Sequence, residues 1–244
     1  MGGVLAFLYG IVSYVVFFIA FLYAIGFTGS LVVPKAINDG AAAGAVEAII
    51  VNLVLLSIFA LQHSIMARPG FKAVWTRVVP KSIERSTYVL LSSLALALLF
   101  WQWRPMPEIV WDLRGGLSGE ILTGVFWFGW LFVLLSTFMI DHFELFGLKQ
   151  VLSRMQKREA PSMTFKMVAF YKFVRHPIML GFIIAFWATP LMTYGHLLFA
   201  VVTTAYILVA LHIEERDLVS ELGDDYLVYQ QKVRMIVPLP KGKG

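Results

Sequence analysis

Residues 4–27 read VLAFLYGIVSYVVFFIAFLYAIGF, a run without one charged side chain. About 20 apolar residues suffice for a helix to cross the hydrocarbon core of a bilayer, so this stretch is long enough to span a membrane. It lacks a basic start and is longer than the roughly 7–15 apolar residues of a signal peptide, so it is expected to be retained as a membrane helix. Working outward, residues 48–67, 86–103 and 121–140 repeat the pattern. After Pro177 a further apolar stretch is interrupted around 190–195 and divides into 178–192 and 196–213. These last two read as a helical hairpin, whose shorter first arm is expected either to tilt across or to stop short of the far interface. The expected fold is all-α: a polytopic integral membrane helical bundle of about six apolar segments, in a single domain over residues 1–244.

Composition points the same way. Of 244 residues, 59% are hydrophobic and 14% charged, against about 45–50% apolar in soluble domains. Nucleic-acid binding and disorder are therefore not expected. The absence of cysteine excludes disulfides, thiolate metal sites and cysteine nucleophiles. No His and carboxylate spacing on one helix suggests ligation, so no metal is expected.

The 20 Lys and Arg and 15 Asp and Glu all fall outside the six apolar segments. Two loops are strongly basic: one carries Arg68, Lys72, Arg77, Lys81 and Arg85, the other Lys149, Arg154, Lys157, Arg158, Lys166, Lys172 and Arg175. Both lie on one side if every segment crosses, and the positive-inside rule assigns that side, with both termini, to the cytoplasm. The polar residues at segment ends gather on the same face: Gln62 and His63; Glu84, Arg85 and Tyr88; Asp141, His142 and Glu144; Arg175 and His176; Glu214, Glu215 and Arg216. Interfacial anchoring and helix-end ion pairs account for some of them. The concentration of His and carboxylates exceeds what anchoring needs, and ionisable groups near membrane interiors mark functional sites. His196 falls at the far face and His212 beside a segment end, and neither is a strong candidate. Asn52, deep in the second segment, is expected to bond a neighbouring helix. Beyond Glu214, the residues Leu218, Leu222, Tyr226, Tyr229 and Val233 recur at helical spacing and predict a cytoplasmic amphipathic helix. Val237-Pro238-Leu239-Pro240 should stop it.

Arg175-His176-Pro177-Ile178-Met179-Leu180-Gly181 is the strongest local signal. Pro177 suits the first position of a helix, and the amides that follow it form an N-terminus that favours a carboxylate. Glu214 and Glu215, at the other end of the hairpin, offer acceptors for hydroxyl or ammonium groups.

Together with Glu214-Glu215, Gly223, Tyr226 and Tyr229, this motif resembles the isoprenylcysteine carboxyl methyltransferase-like family of membrane methyltransferases. That family carries an Arg-His-Pro-x-Tyr-x-Gly turn and a Glu-Glu pair followed by a Tyr-containing helix; here Met179 stands where Tyr is usual. Three further segments, Gln62-His63-Ser64, Glu84-Arg85-Ser86-Thr87-Tyr88 and Asp141-His142-Phe143-Glu144, are similar to those of a narrower branch, the bacterial methanethiol S-methyltransferases. Nitrite-metabolism membrane proteins of the same superfamily share the Gln-His-Ser feature. The resemblance implies a bacterial inner-membrane enzyme that moves a methyl group from S-adenosylmethionine to a small apolar thiol. It also implies a cofactor-binding part at about 170–240, formed by Arg175, His176, Pro177, Leu180, Gly181, Glu214, Glu215, Tyr226 and Tyr229. The methionine carboxylate would sit at the helix start beside Arg175 or His176, and the two Tyr rings would stack on the adenine.

Transfer from a sulfonium is an in-line displacement that needs alignment and a dry pocket more than acid–base chemistry. A thiol is the exception, because it is largely protonated at neutral pH and gains from a base or a cationic neighbour. His142 and His63 are the candidate bases. Asp141 could orient His63 or pair with Arg85, and Tyr88 and Tyr171 are candidates to position the nucleophile. Alternatives are methylation of a phospholipid or isoprenylcysteine, or an NADPH-dependent membrane reductase, since membrane sterol reductases carry a related C-terminal segment. A channel or transporter is disfavoured by the lack of charge at mid-membrane and of an inverted repeat.

Overall fold

The computed structural model describes residues 2–41, 43–159 and 167–238. Five helices are long and apolar enough to cross a membrane: α1 (Gly3–Gly29), α2 (Ala45–Ala67), α4 (Lys81–Gln102), α5 (Leu117–Ile140) and α9 (Tyr194–Leu222). The protein is a multi-pass helical membrane protein. Shorter helices join them: α3 (Pro69–Trp75), α6 (His142–Leu145), α7 (Leu148–Met155), α8 (Pro177–Trp187) and α10 (Asp224–Lys232), with a 3₁₀ turn over Ala169–Lys172. The chain divides into two compact units.

The first unit comprises 1–112, 143–162 and 191–199. Here α4 packs against both α1 and α2, and α7 lies along α1. That approach depends on Gly10, where an added Cβ would sit 2.5 Å from a Val151 methyl. Asn52 is fully buried and does bond a neighbour, but the partner lies in the loop after α4 rather than on a helix. Its amide nitrogen donates to the Arg104 carbonyl at 2.8 Å, and its oxygen accepts from the Arg104 N–H at 2.9 Å. The loop after α4 is thus tied to the interior of α2, where an unpaired polar group would cost several kcal/mol. At this end Lys35 donates to the carbonyls of Trp101 and Trp103, beside a cavity of about 310 Å³ lined by Lys35, Glu47, Trp103 and Arg104.

The first arm of the expected hairpin differs from the sequence expectation. The segment expected to run helically to Met192 stops at Trp187, and Leu191–Thr193 forms a strand, β2, antiparallel to β1 (Ile109–Asp112). Pro190 supplies the physical reason: it cannot donate to a helical ladder, so the chain leaves the helix before it and pairs laterally. At 1.5 Å per residue, the 11 residues of α8 reach only about half of the roughly 30 Å apolar core.

The second unit comprises 113–142, 163–190 and 200–244. Its main packing is α5 against α8, and small residues make it close. A Cβ at Gly129 would lie 2.7 Å from the Ala185 nitrogen, and one at Gly181 would lie 2.9 Å from the Gly129 oxygen. Gly181 and Ala185, one turn apart, are the small-xxx-small arrangement that lets membrane helices touch backbone to backbone. Trp130 then meets Phe182 and Phe186 edge-on. Helix α9 continues past the expected end at residue 213 to Leu222, so Glu214 and Glu215 lie within it rather than after it. Gly223, at φ 61°, makes the break before α10. The amphipathic face is real although two helices share it: Tyr226, Tyr229 and Val233 are buried with Leu218, Val219 and Leu222 against them. Helix α10 ends at Lys232, ahead of the expected proline stop, of which Leu239 and Pro240 lie outside the described residues. Lys166 of the second basic loop also lies outside them.

Candidate active site

Arg175 and Glu215 anchor a buried polar cluster in the second unit. The guanidinium Nε donates to Oε1 at 2.6 Å and Nη2 to Oε2 at 2.8 Å. His176 donates through Nε2 to Oε1 at 3.0 Å, and the Gln230 amide donates to Oε2 at 3.1 Å. Four donors therefore saturate one buried carboxylate. The remaining Arg175 nitrogen, Nη1, bonds the carbonyls of Val233 and Gln230. Backbone contacts extend the clamp: Arg175 N–H donates to Arg234 O at 2.9 Å and His176 N–H to Met235 O at 3.1 Å. The segment after α10 is thereby fixed along the entry to α8. Pro177 occupies the first turn of α8 as its sequence demands.

This arrangement separates residues that the sequence had grouped. Glu215, Arg175 and His176 spend their polar atoms mostly on one another and on the chain after α10. Glu214 is half-buried, and its carboxylate makes no hydrogen bond or ion pair among the described residues. Leu180 lies one turn into α8, and its N–H donates to His176 O. Gly181 faces α5 and serves helix packing. Tyr226 and Tyr229 are 3% and 5% exposed, so their rings are core rather than open platforms in this conformation. The Tyr229 hydroxyl donates to the Tyr171 carbonyl at 2.5 Å. Burial pushes the Tyr229 pKa up to about 12, with Arg175 opposing the rise and Glu215 adding to it. Burial also raises Tyr171 and Tyr226 strongly, with Glu214 contributing to both. None of the three phenols is a base at neutral pH.

At the end of α5, Asp141 sits at φ 148° and ψ 88°, a conformation L-residues rarely adopt. Such backbone costs about 1–3 kcal/mol and persists only where its surroundings enforce it. Its effect is to turn the chain so that His142 folds back on the last turn of α5. The His142 ring stacks on Phe138 at 4.4 Å and 7°, and its Nδ1 lies 2.8 Å from the Thr137 hydroxyl. Burial lowers the His142 pKa below the ordinary imidazole value, and the Asp141 charge opposes that shift. The buried ring is therefore neutral at pH 7, which is the form that accepts a proton.

The first unit holds the other candidates. His63 on α2 lies between Phe59, stacked at 5.2 Å, and Tyr88 of α4, whose hydroxyl is 2.9 Å from Nε2. Ser92 lies 3.3 Å from Nδ1. Arg85 places its guanidinium 5.0 Å from the Tyr88 ring centre and donates through Nε to Leu145 O at 2.7 Å. Sequence placed His63, Tyr88 and Arg85 near one interface, and the structure joins these three directly. Gly147, at φ 86°, lets the turn before α7 approach Ser86, whose nitrogen an added Cβ would meet at 2.9 Å. The cavity beside Lys35 and Glu47 is near the opposite ends of α2 and α4, away from these groups. Among the described residues no cluster of three His, Asp or Glu could hold a metal ion. Sequence reasoning missed Thr137, Gln230 and Ser92; each is a polar residue one or two turns from a candidate, which is a weak signal in one dimension.

Comparison with known proteins finds a family model and several similar chains. The family model described as NnrU protein matches residues 51–229. A methanethiol S-methyltransferase of Mycobacterium tuberculosis (strain ATCC 25618 / H37Rv) is 57% identical over 236 residues, 97% of each chain. One from Crocosphaera subtropica (strain ATCC 51142 / BH68) is 48% identical over 231 residues, covering 95% of this chain and 91% of its own. Nurim of Mus musculus is 29% identical over 182 residues, 68% of this chain and 66% of its own. No solved structure matches.

Proposed function

The chain belongs to the NnrU protein family, and from that membership and its near full-length likeness to methanethiol S-methyltransferases we propose that it transfers a methyl group to methanethiol, giving dimethyl sulfide. The methyl donor is S-adenosylmethionine, whose sulfonium supplies an activated methyl carbon and a neutral thioether leaving group. The observation that carries the reading is 57% identity across 97% of both chains.

The residues of the second unit fit such a donor in two respects. The α8 N-terminus, held rigid by the Arg175–Glu215 clamp, presents backbone N–H groups and a positive dipole end, which suits a carboxylate. Glu214, half-buried and without a hydrogen bond of its own among the described residues, suits an ammonium or ribose hydroxyls. Arg175, His176, Glu215, Tyr226 and Tyr229 build and stiffen that platform. His142 is neutral and takes the thiol proton, so that the more nucleophilic thiolate attacks. His63, with Tyr88 and Arg85 around it, is the second base candidate. Apolar helices admit a small thiol that partitions into lipid and keep water from the reacting atoms. The protein sits in the bacterial cytoplasmic membrane, with both termini and the two basic loops on the inner side.

Headspace chromatography above purified protein supplied with methanethiol and S-adenosylmethionine tests this directly. Dimethyl sulfide should accumulate only when both are present. Its absence, with intact folded protein, would overturn the reading.

A further inference from the structure

We propose that Thr137 is a positioning residue that fixes His142 in the Nδ1–H tautomer and so makes Nε2 the atom that accepts the proton. The catalytic part of this inference rests on the reading of His142 as the base.

The geometry is compact. Thr137 Oγ1 lies 2.7 Å from the Leu134 carbonyl and 2.8 Å from His142 Nδ1. A hydroxyl has one proton and two lone pairs. Two oxygens 2.7 Å apart repel unless a proton lies between them, and a carbonyl cannot supply it. The Thr137 proton is thus committed to Leu134, and toward His142 the hydroxyl can only accept. Nδ1 must then carry hydrogen, and in the neutral ring Nε2 carries the lone pair. This is the less common tautomer of a free histidine side chain, so it needs a dedicated acceptor.

Three features hold the acceptor in place. Thr137 is 5% exposed and His142 is 5% exposed, so water does not compete at Nδ1. Phe138 stacks on the ring at 4.4 Å and removes its freedom to flip. The backbone at Asp141, at φ 148°, turns the chain between Thr137 and His142. A strained residue directly before a histidine bonded five positions back is consistent with a ring aimed for use.

The step balances without a further reagent. The thiol proton moves to Nε2, the thiolate pair forms the new sulfur–carbon bond, and the pair of the breaking carbon–sulfur bond returns to the donor sulfur, which becomes neutral. The imidazolium then returns its proton to solvent.

Nitrogen-15 NMR of the detergent-solubilised full chain labelled at histidine, with His142 assigned by its loss in H142N, reads the tautomer without turnover. The wild type is expected to show a protonated Nδ1 and an unprotonated Nε2; a protonated Nε2 overturns the proposal with no variant needed. T137S, which keeps the hydroxyl, is expected to retain the wild-type signature, and T137V to lose it. An unchanged tautomer in T137V overturns Thr137 as the cause. Turnover is measured beside it: T137V is expected to fall on the order of tenfold or more, since a positioned base contributes about 10²–10⁴, and T137S to recover most of it. A T137V that changes tautomer yet turns over normally overturns the catalytic part and His142 as base, while leaving methyl transfer itself to the product assay.

Discussion

Arg175 and Glu215 meet as a two-pronged ion pair, Nε to Oε1 at 2.6 Å and Nη2 to Oε2 at 2.8 Å, between side chains only 7% and 9% exposed. Forty residues apart in sequence, they bind the entry of α8 to α9, and through Arg175 Nη1 they also bind the segment after α10. Breaking a buried pair from one side leaves a charge without compensation, at a cost of about 3–5 kcal/mol. R175K keeps the charge but not the fork, so it is expected to lower the melting temperature clearly and E215Q to do so as well. Thermal melts in detergent check this, and a melting temperature within error of wild type for both would contradict the clamp.

Glu214 should behave differently from its neighbour. E214A is expected to leave the melting temperature unchanged and to weaken S-adenosylmethionine binding about tenfold, the loss of one charge-assisted hydrogen bond at ~1.5 kcal/mol. Calorimetric titration reads the affinity, and a thermal melt of the same preparation reads the stability. Unaltered affinity would remove Glu214 from the donor site.

The glycine contact of α5 with α8 predicts a large effect from a small change. A methyl at Gly181 would lie 2.7 Å from a Val133 methyl carbon and 2.9 Å from the Gly129 oxygen. G181A is therefore expected to cost about 1–3 kcal/mol through overpacking, seen as a lower denaturation midpoint. A variant as stable as wild type would mean that the two helices can separate freely.

His142 gives a pH dependence of known sign. Burial lowers its folded pKa, with Asp141 opposing, so folding favours the neutral ring. That contribution is complete above the unfolded value near 6.5 and is lost as pH falls through the folded value. H142N cannot ionise and is expected to show a shallower fall in melting temperature between about pH 7 and pH 5 than the wild type does. Parallel curves for the two proteins would contradict the assignment.

Much of this was legible in one dimension because apolar runs and charge placement are imposed by the bilayer itself. The five long helices begin and end within a few residues of the expected limits, except where α9 runs on through Glu214 and Glu215. That extension was hidden because acidic residues end a membrane span without ending a helix. The short strand at Leu191–Thr193 was hidden for a different reason: its partner, Ile109–Asp112, is distant in sequence, and lateral pairing leaves no local periodicity in three residues. At the site, the family resemblance grouped Arg175, His176 and the Glu pair. It did not tell which carboxylate is consumed by structure, since that depends on Gln230 and on the path of the chain after α10. Nor did spacing foresee that Gly181 serves helix contact or that Thr137 meets His142, which requires the bend at Asp141.

The most direct measurement of the central claim follows the methyl group itself. Purified protein is incubated with methanethiol and S-adenosylmethionine deuterated at the transferable methyl, and the headspace is read by mass spectrometry. The account predicts dimethyl sulfide carrying all three deuteriums, formed in proportion to enzyme. Unlabelled product, or no dimethyl sulfide from a protein that melts cooperatively, would contradict it.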